Sequence, residues 1–389
     1  MKKILFVTSQ LLIGGTETAL YETVKILASA DTEITVAVMK RGGELYEEFQ
    51  KICIVKDLSE QYSNALITKN TLKKDLKNLK IISFVKKFIL KILEKHVYSH
   101  FKFKESIAKR MPKIGEEYDV AISYSAPYTS MESFVINNVT AKRKLAWIHF
   151  DVLNYIKDVD TSGFSDCYNK FDEIICVSKA SESTFLQRHP SLIGKTKVIY
   201  TPIDIEKIIQ ASKEDTLYNS SKGEITLCSV GRLSKDKGFD LAIQAHRILE
   251  NNGIEAKWLV CGDGDYKNQL TSAIAENGRE DKFLLLGNKK NPHPYIKLAD
   301  IYVQPSRTES YCLTLAEART LRKPIVTTNF PCAYEHITNG HNGFICEMTP
   351  ESIADAIEKL ILSPELRDKF SENTTPVDSD HSKLIQLFE

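Results

Sequence analysis

"ADIYVQPSRTESYCLTLAEA", residues 299–318, changes conformational character twice within a single short stretch. The run "IYVQPS" opens on aromatic and β-branched residues, the make-up of a buried strand. "SRTES" is turn chemistry, short polar side chains with little to bury. From Leu313 onward helix formers take over, and the spacing predicts a helix over 313–322. Strand, turn and helix in succession form half of a crossover unit, the element from which parallel sheets are assembled.

The same alternation extends in both directions. "PIVTT" supplies the next strand, and "EITLCSVGRL", "KWLVCGDGD" and "FLLLGN" precede it, separated by helix-like segments at 238–250, 266–276 and 293–299. An earlier series, "KILFVTS", "EITVAVM", "DVAISYS", "KLAWIHF", "EIICVS" and "KVIYTP", forms a second sheet's worth of strands. Between the two series, "DIEKIIQASKEDTLYNSSKG" is polar and loses the strand pattern, which places a hinge at about 204–222. The sequence thus predicts an α/β protein of two Rossmann-like, doubly wound domains, 1–203 and 204–370, with 371–389 as a helix returning to the first. Two such domains facing a central cleft present the carboxyl ends of their strands to it, where open α/β sheets bind ligands.

Composition excludes some classes. The net charge of +1 argues against nucleic acid as a partner. The eight cysteines form no C-x-x-C pair and no metal-like spacing, so they read as reduced core thiols of a cytoplasmic protein. The N-terminal "MKKILFVTSQLLIGGTE" reads as a buried strand rather than a signal peptide, because polar residues and Gly-Gly interrupt its apolar run. Charge is nevertheless uneven: residues 69–113 hold fourteen Lys/Arg against three Asp/Glu.

Four groups of residues fall where a strand ends. Glu309 and Glu317 bracket the turn of the opening stretch, with Ser310, Tyr311 and Cys312 between strand and helix and the free amides of Leu313 and Thr314 at the helix start. Such amides bind anions, while carboxylates accept from sugar hydroxyls. The spacing alone is weak, since Glu206 and Glu214 share it without a strand before them. In "SVGRLSKDKGFD" (229–240), Arg232 offers a planar fork and Lys237 a compact charge, together suited to a leaving diphosphate. Gly14 and Gly15 follow the first strand and allow close approach to the backbone, although no dinucleotide fingerprint or P-loop occurs. His149 ends the strand "LAWIHF" and is a candidate to serve a substrate hydroxyl. "CGDGD" (261–265) reads first as turn formation. "DVD" (158–160) and "DSD" (378–380) resemble metal motifs but end no strand, so no metal and no cofactor is expected.

Taken in order, "GGTE", "VIYTPID", "VGRLSKDKG", "CGDGD", "ADIYVQPSRTESYCLTLAEA", "KPIVTT" and "NGHNGFIC" resemble glycosyltransferase family 4, retaining enzymes of the GT-B fold. The resemblance spans most of the chain and implies a nucleotide-diphosphate sugar as co-substrate. It implies that Arg232 and Lys237 hold the diphosphate, Glu317 the ribose and Glu309 the transferred sugar, with the 311–314 backbone alongside. Gly15 is implied to approach the diphosphate and His149 the sugar and acceptor. The family more often has Gly-Phe-Gly where this chain has Ser310, Tyr311 and Cys312, and Asn where it has Thr201, so sugar preference is not implied.

The basic region adds an acceptor. "IISFVKKFILKILEKH" sets Ile81, Phe84, Val85, Phe88, Ile89, Ile92 and Leu93 along one helical face with lysines between. That face either packs on the core or lies on an anionic membrane, and the charge favours the membrane. Peripheral attachment at the inner face of the cell membrane and a lipid-linked saccharide acceptor follow, as in assembly of a bacterial capsule or exopolysaccharide. Two rivals are a nucleotide-sugar epimerase or hydrolase, and a non-catalytic transferase-like subunit; loss of Arg232, Lys237 or either glutamate would favour the second, and all are present.

Overall fold

The computed structural model describes every residue except 29–30, 97, 156–160, 162, 217, 219–222, 277, 279 and 379. The chain forms two compact units, Met1–Pro202 joined by Asp380–Glu389, and Ile203–Ser379. The "DVD" stretch at 158–160 lies outside the described residues.

The first unit holds β1 (Lys2–Thr8), β2 (Thr32–Val38), β3 (Ile54–Asp57), β4 (Glu117–Ala126), β5 (Thr140–Ile148), β6 (Glu173–Cys176) and β7 (Thr196–Val198). They form one sheet in the order β3-β2-β1-β4-β5-β6-β7, with every paired strand parallel. Ile4, Leu5, Phe6 and Val7 of β1 are wholly buried, as a central parallel strand covered on both faces requires. The sequence pattern missed β3, whose residues "IVKD" include no fully buried side chain and so carry no apolar run.

The helix Ser382–Phe388 completes this unit. Leu384, Leu387 and Phe388 are buried, the Phe388 ring lies 6.1 Å from that of Phe6, and Arg143 donates to the Leu387 carbonyl at 3.0 Å. The helix Ile81–His96 is built in the opposite sense to a core helix. Three of its polar residues are held by neighbouring helices, Lys87 by Asp75 (2.8 Å), Ser83 by Asp75 (2.7 Å) and Glu94 by Arg110 (2.8 Å), while Lys86 and Lys95 are exposed. Its apolar residues Ile81, Ile82, Val85, Phe88, Ile89 and Ile92 are exposed.

The second unit holds β8 (Thr226–Val230), β9 (Lys257–Cys261), β10 (Phe283–Leu285), β11 (Ile301–Gln304), β12 (Ile325–Thr328) and β13 (Gly343–Cys346), ordered β10-β9-β8-β11-β12-β13 and again parallel. Both sheets are therefore Rossmann-like. In each, strand order reverses once, between β1 and β4 and between β8 and β11, the switch point at which open parallel sheets bind ligands.

All eight cysteines are free, and seven are buried. No helix among the described residues is long and apolar enough to cross a membrane.

Candidate functional site

β8 and β11 are neighbours, with Cys228 opposite Tyr302. The loops that follow them therefore leave the sheet side by side, and their backbones come into contact. Gly238 sits at φ +68°, and a Cβ there would stand 1.9 Å from the Pro305 carbonyl oxygen. Gly262, after β9, would place a Cβ 1.8 Å from the Gly231 carbonyl oxygen. Only glycine permits these approaches, so the sequence's "VGRLSKDKG" and "CGDGD" are first of all packing devices. They bring Lys237 and Glu309, 72 residues apart in the chain, together.

Lys237 Nζ donates to Glu309 Oε1 at 2.8 Å. The same oxygen accepts from Ser306 Oγ at 2.8 Å and from the Gln304 amide at 3.4 Å. Gln304 is 1% exposed and is itself fixed, because its Oε1 accepts from Tyr302 (2.7 Å) and Thr314 (3.0 Å). All three donors converge on one oxygen of Glu309, and Oε2 has no hydrogen-bond partner among the described residues. Burial works against the Lys237 ammonium, but the Glu309 carboxylate beside it more than offsets this and holds its pKa above the ordinary lysine value. Lys237 thus stays charged across the physiological range. Arg232 is exposed and makes no ion pair with any described residue.

The turn from β11 is clamped at several points. Arg307 forms a two-pronged pair with Asp240, both bonds 2.7 Å, and also donates to the Lys235 carbonyl. His336 donates to the Tyr311 carbonyl, and burial lowers its pKa to about 4, so it is neutral. Cys312 occupies the left-handed region, φ 65°, directly before the helix Leu313–Thr320. This is why glycine is the easier residue at that position, and a cysteine there holds about 1 kcal/mol of backbone strain. The Leu313 and Thr314 amides occupy the first two positions of the helix, where no intrahelical acceptor exists.

Glu317 lies on the next turn. Its Oε2 is buried without a hydrogen-bond partner among the described residues, and its Oε1 stands 3.7 Å from Nε2 of His293. His293 was not singled out by the sequence. It opens the helix His293–Leu298 and is oriented by Asn291, whose Oδ1 faces His293 Nδ1 at 2.9 Å. Gln304, Ser306, Arg307 and His336 were missed likewise. Only the polar character of "QPSR" inside an otherwise apolar strand end could have pointed to the first three.

In the first unit, Gly15 is exposed at the start of the helix Gly15–Ala28, and Gly14 accepts from Thr18 at 2.9 Å. Neither glycine has positive φ. His149, just past β5, is 6% exposed. Its ring lies 4.3 Å from Tyr124 and is stacked on Trp147 at 6.2 Å, and its Nε2 is buried without a partner among the described residues. Burial pushes its pKa down to about 3, so it offers a neutral imidazole, which can share a hydrogen bond but carries no charge. Among the described residues no three His, Cys, Asp or Glu side chains are grouped to hold a metal ion.

Residues 212–376, which include the Lys237–Glu309 pair and Glu317, match the family described as glycosyl transferases group 1. Residues 212–376 are thus similar to the group 1 glycosyltransferases. Among curated proteins, this chain is 31% identical over 152 residues to an alpha-D-kanosaminyltransferase of Streptomyces kanamyceticus, covering 38% of this chain and 39% of that protein. It is 28% identical over 205 residues to an N-acetylgalactosaminyltransferase of Campylobacter jejuni that acts on a diphospho-undecaprenol-linked acceptor, covering 52% of this chain and 54% of that one. The matches span about two fifths of the length of the first curated relatives. Across the whole chain, the fold is that of Anabaena HepE, solved with UDP and glucose, at TM-score 0.70 and 18% identity, covering 100% of this chain and 98% of that one. The architecture is GT-B.

Proposed function

We propose that this protein is a retaining family 4 glycosyltransferase that moves a hexose or N-acetylhexosamine from a nucleotide-diphosphate sugar, a UDP-sugar by preference, to a lipid-linked saccharide. The carrying observation is the Lys237–Glu309 pair beside unpaired Arg232 and the open start of the helix Leu313–Thr320. Two cations and two free amides suit the charge that grows on a departing diphosphate. Glu309 keeps Oε2 for a sugar hydroxyl, and Lys237, which already holds Oε1, neutralises the leaving phosphate. Front-face attack follows: the acceptor oxygen bonds to the anomeric carbon as the diphosphate leaves, and the departing phosphate oxygen takes the acceptor's proton. Glu309 positions and does not attack. The two cations supply the positive charge, so no metal is needed. UDP is favoured because HepE is solved with it, and a polyprenyl-linked acceptor because the Campylobacter relative is named for one.

The first unit takes the acceptor, with His149 as a neutral hydrogen-bonding group. Its helix Ile81–His96 lies on the inner face of the cell membrane, apolar residues in the acyl boundary and lysines on the headgroups. The product belongs to a bacterial cell-surface polysaccharide.

The deciding experiment is thermal stability against UDP, GDP, ADP, dTDP and CMP series, with Lys237→Ala and Glu317→Ala as controls. A shift with one base, lost in both variants, is expected; no shift at millimolar ligand overturns the proposal. For the membrane, changing Lys86, Lys91 and Lys95 to Glu is expected to reduce binding to vesicles containing phosphatidylglycerol by about two orders of magnitude, at roughly 1 kcal/mol per lysine. Unchanged vesicle binding would remove the membrane from the scheme.

A further inference from the structure

His293 and Glu317 present an arrangement that the proposed transfer does not by itself account for. Asn291 Nδ2 donates to the Ala211 carbonyl at 2.9 Å, which fixes the amide so that Oδ1 faces His293. The backbone N–H of His293 donates to the same Oδ1 at 3.2 Å. An acceptor at that position requires hydrogen on Nδ1, so in the neutral ring Nε2 is a lone pair. That lone pair faces a carboxylate: Nε2 to Glu317 Oε1 is 3.7 Å, too long for a hydrogen bond. Nε2 and Glu317 Oε2 are both buried without a partner among the described residues. Each side chain keeps some exposure, 16% for His293 and 19% for Glu317, so solvent reaches the pair from one side. Three acceptor positions on two side chains, with no donor between them, are complementary to a ligand that brings donors on adjacent atoms. A vicinal diol is that ligand, since one of its hydroxyls can donate to the carboxylate and the adjacent one to Nε2.

We infer that His293 adds a second acceptor to the ribose subsite that the family resemblance gives Glu317, and that His293 is the residue that separates ribonucleotides from deoxyribonucleotides. The inference rests on the donor-site proposal above and adds to it a residue and a selectivity. Glu317 alone would hold either sugar through one hydroxyl. With Nε2 as a second acceptor, loss of either hydroxyl strands a buried polar atom, and a stranded atom is penalised more than a missing contact.

The experiment measures calorimetric affinity of the full chain for UDP, GDP and ADP, then for the 2′-deoxy and 3′-deoxy forms of the one bound most tightly. Wild type is expected to bind the ribonucleotide about tenfold more tightly than at least one deoxy form, a hydrogen bond's worth of discrimination. His293→Ala is expected to lose about fivefold on the ribonucleotide while the deoxy affinity stays within about twofold, and His293→Gln, whose amide reaches near Nε2, to restore most of the gap. If His293→Ala weakens ribo and deoxy forms equally, or lowers thermal stability without changing their ratio, His293 only braces Glu317 and the inference is overturned. If no nucleoside diphosphate binds wild type, both the inference and the donor-site proposal fail. Binding that is lost in Lys237→Ala but shows no ribo-deoxy gap in wild type leaves the donor site standing and sinks the inference alone.

Discussion

The strand ends around β8 and β11 and those around β4 and β5 arise from the same parallel topology, yet one group is charged and the other is kept neutral. After β8, Lys237 lies in a site that disfavours its charge, and Glu309, from the loop after β11, restores it. After β5, His149 has no such partner, and burial between Tyr124 and Trp147 removes its charge altogether. Topology therefore selects where a ligand goes, while a single neighbouring side chain decides what electrostatic class of ligand it is. The site in the second unit suits anions. Its counterpart in the first suits uncharged hydroxyl groups.

Removing the charge breaks the contrast most directly. Lys237→Ala takes the cation from the leaving diphosphate and strands Glu309, and turnover of nucleotide sugar should fall by about 10²- to 10³-fold. A steady-state rate within threefold of wild type would detach the Lys237–Glu309 pair from catalysis.

A second measurement sharpens the neutral side. The His149 pKa falls from the ordinary 6.5 to about 3 on folding, so below pH 6.5 the unfolded chain binds a proton that the folded chain does not. Stability supplied by the neutral ring is complete above pH 6.5 and is lost as pH falls toward about 3. At pH 5 this amounts to about 2 kcal/mol. Urea unfolding of His149→Gln should show that much less loss between pH 8 and pH 5 than wild type; equal slopes would mean that His149 titrates normally. His189 and His336, also lowered to about 4, add their own acid sensitivity to both proteins and cancel in the difference.

The smallest effect concerns how the charged side is held. Arg307 ties the loop after β11 to Asp240, but both side chains are partly exposed, so Arg307→Ala should cost about 1 kcal/mol or less. Its kinetic signature should be a rise of about threefold in KM for the donor sugar with kcat nearly unchanged, as expected when a loop is loosened rather than a contact in the transition state removed. A change confined to kcat would place Arg307 nearer the chemistry than its pairing with Asp240 implies.

Much of this was legible in the sequence because the informative signals are local. Apolar strand runs, glycines at strand ends and the polar turn of "SRTES" each require only neighbouring residues, and they yielded two parallel sheets and the positions of Arg232, Lys237, Glu309 and Glu317. What escaped depends on contacts made across the fold. His293 follows β10 and is separated from Glu317 by a whole strand, so no pattern within "NPHPY" marks it as a partner of that carboxylate. Gln304 reads as an interruption of an apolar strand and becomes a clamp only once Tyr302, Thr314 and Glu309 surround it. The outward apolar face of the helix Ile81–His96 was visible as a stripe, but whether a stripe is buried is a property of what folds over it.

The helix Ser382–Phe388 imposes an order on biosynthesis. Residues 380–389 leave the ribosome only after all of 203–379, so the first sheet to be translated waits for the whole second unit before the surface around Phe6 and Arg143 is covered. During that interval the nascent chain exposes apolar area that the finished protein hides, and a chaperone's attention is best directed there.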